Sequence, residues 1–413
     1  MPFRIALSGL NAATSDLNVI GNNIANNATT GFKGSRAEFG DIYAASSLGA
    51  SSNAIGSGVR LQKVGQQFSQ GTVNFTNNNL DLAINGSGFF RLNDNGTTVY
   101  SRAGAFGVDK DGFVVNSTGQ RLTAFQATST GAITGARGDL KLSTANIPPK
   151  VSGTITVGVN LNAAAAVPTV AFSTAGPAAP DPASYNNSTS LTVYDSLGAP
   201  HLATLYFVKE SAANSWTVYS QLDNIFPAQG TANNLVFSPT GALTTPGTPG
   251  NIVLTPITIP PPSGANPLTL TFNYTNTTQL GNAFGVNSLT QNGYANGRLS
   301  GLSIDNSGVV SARYTNGQSS SLGQVILTNF ANPQGLQQLG NTSWAETFTS
   351  GAALDGAPGT GSLGAIQSGA LEGSNVDLTE QLVNMITAQR NFQANAQVIS
   401  AADTVTQAII NIR

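Results

Sequence analysis

Apolar and small side chains recur at alternating steps of four and three at both ends of this chain, and that narrow stripe constrains the fold more than any other feature. At the N-terminus the series is Phe3, Leu7, Leu10, Thr14, Leu17, Gly21 and Ile24. At the C-terminus it is Leu378, Leu382, Met385, Gln389, Phe392, Ala396 and Ile399, then, after a slip of one step, Ala402, Val405, Ile409 and Ile412. A 4–3 alternation is the seam of a coiled coil, and the slip is a local stammer. Ala6, Ala12, Ala13 and Ala25 favour helix, and an Asn-rich run ending at Gly31 should stop it. Ser374 or Asp377 can cap the second helix, with Glu380 three residues after Asp377. That helix, from about Asp377 to Asn411, has no Pro or Gly and would be roughly 50 Å long.

A stripe confined to two positions per heptad is wet on an isolated helix, and each exposed Leu or Ile forfeits roughly 1.5–3 kcal/mol of burial. The two helices can cover each other within one chain, or neighbouring copies can cover them. Their opposite flanks carry Ala, Asn, Gln, Ser and Thr rather than the Glu and Lys of a solvated surface helix. This favours neighbouring copies, with Phe3, Leu7, Leu10, Leu17, Ile24, Leu378, Leu382, Met385, Phe392, Ile399, Val405, Ile409 and Ile412 as the polymer interface. Such helices can be partly disordered in a lone molecule and order on assembly. Charged residues make up only 9% of the chain, against roughly 25% in an ordinary soluble domain. Copies with so few charges repel one another weakly.

Between the ends the pattern is β. Short runs such as LDLAI (80–84), GFFRL (88–92), GFVVN (112–116) and GQVILT (323–328) alternate with turn dipeptides. Asn85-Gly86, Asn95-Gly96, Asp111-Gly112, Asn292-Gly293, Asn296-Gly297 and Asn316-Gly317 should supply the positive φ of tight hairpins. A boundary falls near 146–153, followed by an Ala/Pro/Ser stretch (175–182) and a second β block that ends in a Pro-rich region (245–267). After about 285 the earlier style returns, and LSIDNSGVV (302–310) echoes VDKDGFVV (108–115). The expected fold is mainly β with α-helical coiled-coil termini, one all-β domain being inserted in another. Residues 1–30 and 371–413 form the helical core, 31–71 and 350–370 the connecting segments, 72–145 and 286–349 the inner β domain, and 146–285 the inserted outer domain. Residues 29–71 and 350–373 are expected to act as hinges.

Catalytic chemistry finds no foothold. The one histidine, His201, has no acid pair evident beside it, and neither a nucleophile elbow nor a metal cluster appears. DKDG (109–112) lacks the later ligands of a calcium loop and reads as a hairpin turn. Gly86-Ser87-Gly88 is too short to cradle a phosphate. Trp216 and Trp344 read as packed core rather than as a stacking platform. Cysteine is absent, which excludes thiol chemistry and disulfides. A formal net charge of −2 with no basic run argues against nucleic acid. No stretch reaches the ~18 apolar residues of a membrane span, and the N-terminus has no apolar core of a secretory signal. No enzyme activity, cofactor or metal is expected.

Several motifs carry a family resemblance. SGLNAA (8–13), VIGNNIAN (19–26) and TGFKGSRAEF (30–39) resemble the N-terminal signature of bacterial flagellar rod and hook proteins. LEGSNVDLTEQLVNMITAQRNFQAN (371–395) is similar to their C-terminal signature, and DLAINGSGFF (81–90) to a block in their first β domain. Rod proteins lack a large inserted domain. The segment 146–285, with VYDSLG (193–198) and LYFV (205–208), resembles the outer domain of the hook branch, as do GDIYA (40–44) and IINIR (409–413). The resemblance implies a self-assembling subunit of a curved, hollow, extracellular hook, the universal joint between rod and filament. Its partners would be further copies of itself, the rod and hook–filament junction proteins, the hook cap and the flagellar type III export apparatus. A distal-rod component and a β-rich surface adhesin stay as alternatives.

Overall fold

The computed structural model describes residues 2–42, 56–143, 145–174, 180–226, 234–247, 251–253 and 264–411. Two helices bracket a chain of short strands: α1 spans Pro2–Ala25 and α2 spans Leu378–Asn411. Asp377 caps α2, its Oδ1 accepting the Thr379 and Glu380 amides at 2.8 and 3.2 Å. The chain divides into two compact units, one of residues 1–144, 301–313 and 319–413, the other of residues 145–300 and 314–318. Residues 286–300, expected in the inner β domain, belong to the second unit because strand Gly285–Gln291 pairs antiparallel with strand Thr154–Asn162.

In the first unit, strands Ser319–Val325, Arg121–Ala127, Phe89–Asp94, Thr97–Ser101, Ser343–Ala345 and Gln337–Gly340 lie side by side in that order. Leu82, Ile84, Phe90, Leu92, Leu122, Val310, Val325 and Ile366 form the core on one side. Phe89, Tyr100, Phe330 and Trp344 form a smaller aromatic cluster, joined edge-on by Phe68. Among the described residues, parts of the segments expected as connectors are paired in strands. Ser35–Asp41 and Val59–Gln66 form an antiparallel ribbon, while Ala365–Ser368 and Ala370–Glu372 pair with Leu82–Asn85 and Val73–Phe75.

The second unit has two sheets around one core. Thr154–Asn162 is the central strand of one sheet, pairing parallel with Thr271–Asn273 and Thr278–Leu280. The other is an antiparallel meander of Asn187–Tyr194, Pro200–Lys209, Ser215–Leu222, Asn234–Phe237 and Leu243–Thr245. Val157, Val159, Leu161 and Phe272 from the first meet Leu205, Phe207, Trp216 and Leu235 from the second. The indole N–H of Trp216 donates to Gln279 Oε1 at 2.9 Å, so its one polar atom is satisfied inside the core.

The echo between 108–115 and 302–310 is a shared turn. Asp109 Oδ1 accepts the amides of Asp111 and Phe113, Asp305 Oδ1 accepts that of Val309, and Gly112 and Gly308 have φ of 85° and 76°. Among the expected turn dipeptides, Asn95-Gly96 has both residues at positive φ. Asn292-Gly293 and Asn296-Gly297 are exceptions, with neither residue there. At Gly293 space requires glycine, since a Cβ would lie 2.6 Å from the Ser152 backbone nitrogen, whereas at Gly297 it would meet only the Asn316 side chain, 2.6 Å from Cγ.

Candidate functional site: the paired terminal helices and their anchor

α1 and α2 pack against each other within the chain, and the ribbon runs back along α1, where Ser8 Oγ accepts the Val59 amide at 3.1 Å. The buried stripe of α1 is Ala6, Ala13, Ile20 and Asn23. Each lies one residue before a member of the expected seam: Leu7, Thr14, Gly21 and Ile24. One residue is about 100° of helix, so the side that meets the rest of the chain is not the leucine seam but its neighbour, small at Ala6 and Ala13 and larger at Ile20 and Asn23. Small side chains permit close approach. Gly9 shows how close, since a Cβ there would overlap the amide of Asn395 on α2.

The larger residues are left partly uncovered. Phe3 is 51% exposed and Leu7 43%, while Leu10, Leu17 and Ile24 are half-buried. On α2, Met385, Phe392 and Ile399 are half-buried on the face that carries the buried Ala388. Leu378, Leu382, Val383, Ile386, Val398 and Val405 are exposed. Ile409 lies within α2, and Ile412 falls outside the described residues. The chain's own fold thus brings part of the α2 seam together with α1 and leaves the leading residues of both seams facing outward.

Beneath the helices sits a cluster that sequence reasoning missed. Lys33 and Glu372 have fully buried side chains and meet at 2.6 Å. The other carboxylate oxygen takes Arg102 at 2.9 Å. Glu372 Oε1 also accepts the Gly71 amide at 2.9 Å; Lys33 donates to the Ser69 carbonyl at 2.8 Å, and Arg102 to that of Gly86 at 2.8 Å. Burial holds the Lys33 ammonium below its ordinary range, opposed by the adjoining carboxylate, and burial lowers Arg102 in the same way. Around this node, Asn23 of α1 exchanges two hydrogen bonds with the Ser35 backbone, at 2.7 and 2.8 Å, and donates to Gln381 of α2. Asn375 accepts the Gly34 amide at 2.8 Å and donates to the Gln67 carbonyl at 2.7 Å. Asn23, Lys33, Glu372 and Asn375 all lie inside the motifs that carry the family resemblance. Their signal was two charged residues and two amides whose partners lie far along the chain.

A crevice of about 430 Å³ between the helices and the ribbon is lined by Asp16, Asn23, Arg36, Phe39, Glu380 and Gln381, and burial raises the Asp16 carboxyl. Among the described residues no cluster of His, Asp or Glu has the makings of a metal site, and no helix is long and apolar enough to cross a membrane. His201 differs from expectation. It does have an acid pair: Asp223 lies 2.5 Å from Nδ1 and Asp195 3.4 Å from Nε2. The pairing was hidden because Asp223 reaches the ring from the segment after strand Ser215–Leu222.

Four family models match along the chain: flagella basal body rod protein over 3–33, flagellar hook protein FlgE/F/G D1 domain over 83–161, flagellar basal body protein FlaE D2 domain over 160–294, and flagellar basal body rod FlgEFG protein C-terminal over 367–412. The flagellar hook protein FlgE of Escherichia coli K12 is 41% identical over 420 residues, covering all of both chains. That of Salmonella typhimurium is 41% identical over 422 residues with the same coverage, and that of Rhizobium meliloti 32% identical over 99% of this chain and 98% of its own. The crystal structure of Helicobacter pylori flagellar hook protein FlgE2 shares the fold, with a TM-score of 0.54 at 14% identity over 72% of this chain and 100% of that one. With identity of this degree end to end, the chain belongs to the flagellar hook protein family and is a structural subunit of the hook.

Proposed function

We propose that the terminal helices do the assembling, that the chain's role is structural and not catalytic, and that the apolar side chains left outward on α1 and α2 are buried by neighbouring copies. The supporting observation is that α1 and α2 have already paired on their Ala6–Ala13–Ile20 and Met385–Phe392–Ile399 faces, yet Phe3, Leu7, Leu378, Leu382 and Val405 stay exposed. Each of these gains roughly 1.5–3 kcal/mol when a second copy covers it. The helices then line the wall of a hollow extracellular tube, and the rod, junction and cap proteins and the export apparatus are met along its assembly.

The test is polymerisation of purified full-length chain, followed by sedimentation and electron microscopy. Leu7→Asp and Leu382→Asp are expected to abolish tube formation while both tryptophans keep their buried fluorescence. Normal tubes from either variant would remove the helices from the interface.

A further inference from the structure

The chain has a single histidine, and its surroundings use both ring nitrogens. His201 is the second residue of strand Pro200–Lys209, pairs with Val193 and is 9% exposed. Asp195, fully buried, stands in the turn before this strand; Asp223 follows strand Ser215–Leu222. One oxygen of each carboxylate is already committed to backbone. Asp195 Oδ1 accepts the amides of Leu197 and Ala199, both at 2.8 Å, and Asp223 Oδ1 accepts that of Leu202 at 2.8 Å. The remaining oxygens face the ring, Asp223 Oδ2 at 2.5 Å from Nδ1 and Asp195 Oδ2 at 3.4 Å from Nε2. A neutral imidazole has only one N–H, so only the imidazolium serves both carboxylates.

We propose that His201 is a proton-operated clip in the second unit, which ties the Asp195–Ala199 turn to the Asp223 segment when protonated and lets the turn go when it loses its proton. On deprotonation the remaining N–H stays on Nδ1, against the nearer carboxylate. The Nε2 lone pair then faces Asp195 Oδ2 in a buried place, where like-signed partners repel strongly. The Asp195 turn gives way, and with it Leu197, which is 60% exposed at the turn's tip. The charged groups acting on the ring are these two carboxylates, one from each side. Burial alone would push the imidazolium down, but Asp223 and Asp195 outweigh it and hold His201 above its ordinary 6.5. Its contribution to stability is therefore complete below 6.5 and is lost as pH rises through the raised value. The same chain contains a control: Asp109 captures the amides of Asp111 and Phe113, both at 2.8 Å, in a matching turn that has no histidine.

The experiment uses the full-length chain. Carbon-13-labelled histidine yields one imidazole signal, whose titration is read by NMR. Its midpoint is expected above 6.5, and Asp223→Asn is expected to lower it by about one unit or more. Hydrogen exchange, corrected for intrinsic rates, is compared at about pH 6 and about pH 9. Protection at Leu197 and Ala199 is expected to fall at least about threefold at the higher pH, while Asp111 and Phe113 keep theirs. A wild-type midpoint at or below 6.5, or equal loss in both turns, would overturn the clip.

Discussion

Lys33 and Glu372 are 339 positions apart in sequence and 2.6 Å apart in space, with neither side chain exposed. Lys33 follows α1 and Glu372 precedes α2, so this contact closes the two chain ends on the β scaffold that supplies Arg102. A buried carboxylate between two cations is tolerable only while all three remain.

Glu372→Gln therefore leaves two buried cations without their counter-charge and is expected to cost the first unit about 3–5 kcal/mol. The two tryptophans make this readable by unit, since Trp344 is buried in the first and Trp216 in the second. In denaturant titrations, Trp344 fluorescence in a Trp216→Phe background should shift to lower midpoint. Trp216 fluorescence in a Trp344→Phe background should stay where it is.

Gly104 has no room for a side chain, because a Cβ there would collide with the Leu82 carbonyl, whereas Gly107 faces open space. Gly104→Ala is expected to cost about 1–3 kcal/mol through overpacking. Gly107→Ala should stay within about 0.5 kcal/mol. The Trp344 denaturation midpoint separates the two.

On α2 Ala388 is buried within the chain while Leu382 stays exposed and is proposed to meet a neighbouring copy, so substitutions at the two should separate pairing from assembly. Ala388 is 1% exposed, and Ala388→Leu is expected to loosen α1 from α2 at a cost of about 1–3 kcal/mol. Faster hydrogen exchange along α1 would report it. Leu382→Ala should leave the lone chain within about 0.5 kcal/mol of wild type. It should raise the critical concentration for polymerisation by about tenfold, the effect of roughly 1.4 kcal/mol.

Acid should weaken the second unit through Asp195. Burial alone would raise this carboxyl, but the Ala199 and Leu197 amides and the His201 ring hold it below its ordinary 3.8. Its contribution is present above 3.8 and is lost as pH falls through the depressed value. Asp195→Asn should flatten that acid limb in thermal melts followed by Trp216, and an unchanged acid slope would count against the assignment.

Local pattern carried the secondary structure a long way. The 4–3 spacing, the capping Asp377 and the Asn-rich stop place both helices to within a few residues, and the echo of 108–115 in 302–310 is a repeated Asp-x-x-Gly turn. Turn dipeptides were read less well at Asn292-Gly293 and Asn296-Gly297. There glycine answers to residues brought close from elsewhere in the chain, Ser152 and Asn316, whose positions no dipeptide encodes.

By itself the sequence determined that the ends are helical, that the middle is β, and which family owns the terminal motifs. All three follow from periodicities and runs a few residues long. Only the tertiary structure decided that α1 buries Ala6, Ala13 and Ile20 instead of the leucine stripe beside them, and that strand Thr154–Asn162 has parallel neighbours. The same holds for the meeting of Lys33, Arg102 and Glu372, and for the carboxylates on either side of His201. A helix's period defines its faces but not which face its partner takes. A buried charge is legible only once the distant residue that neutralises it has been folded into place.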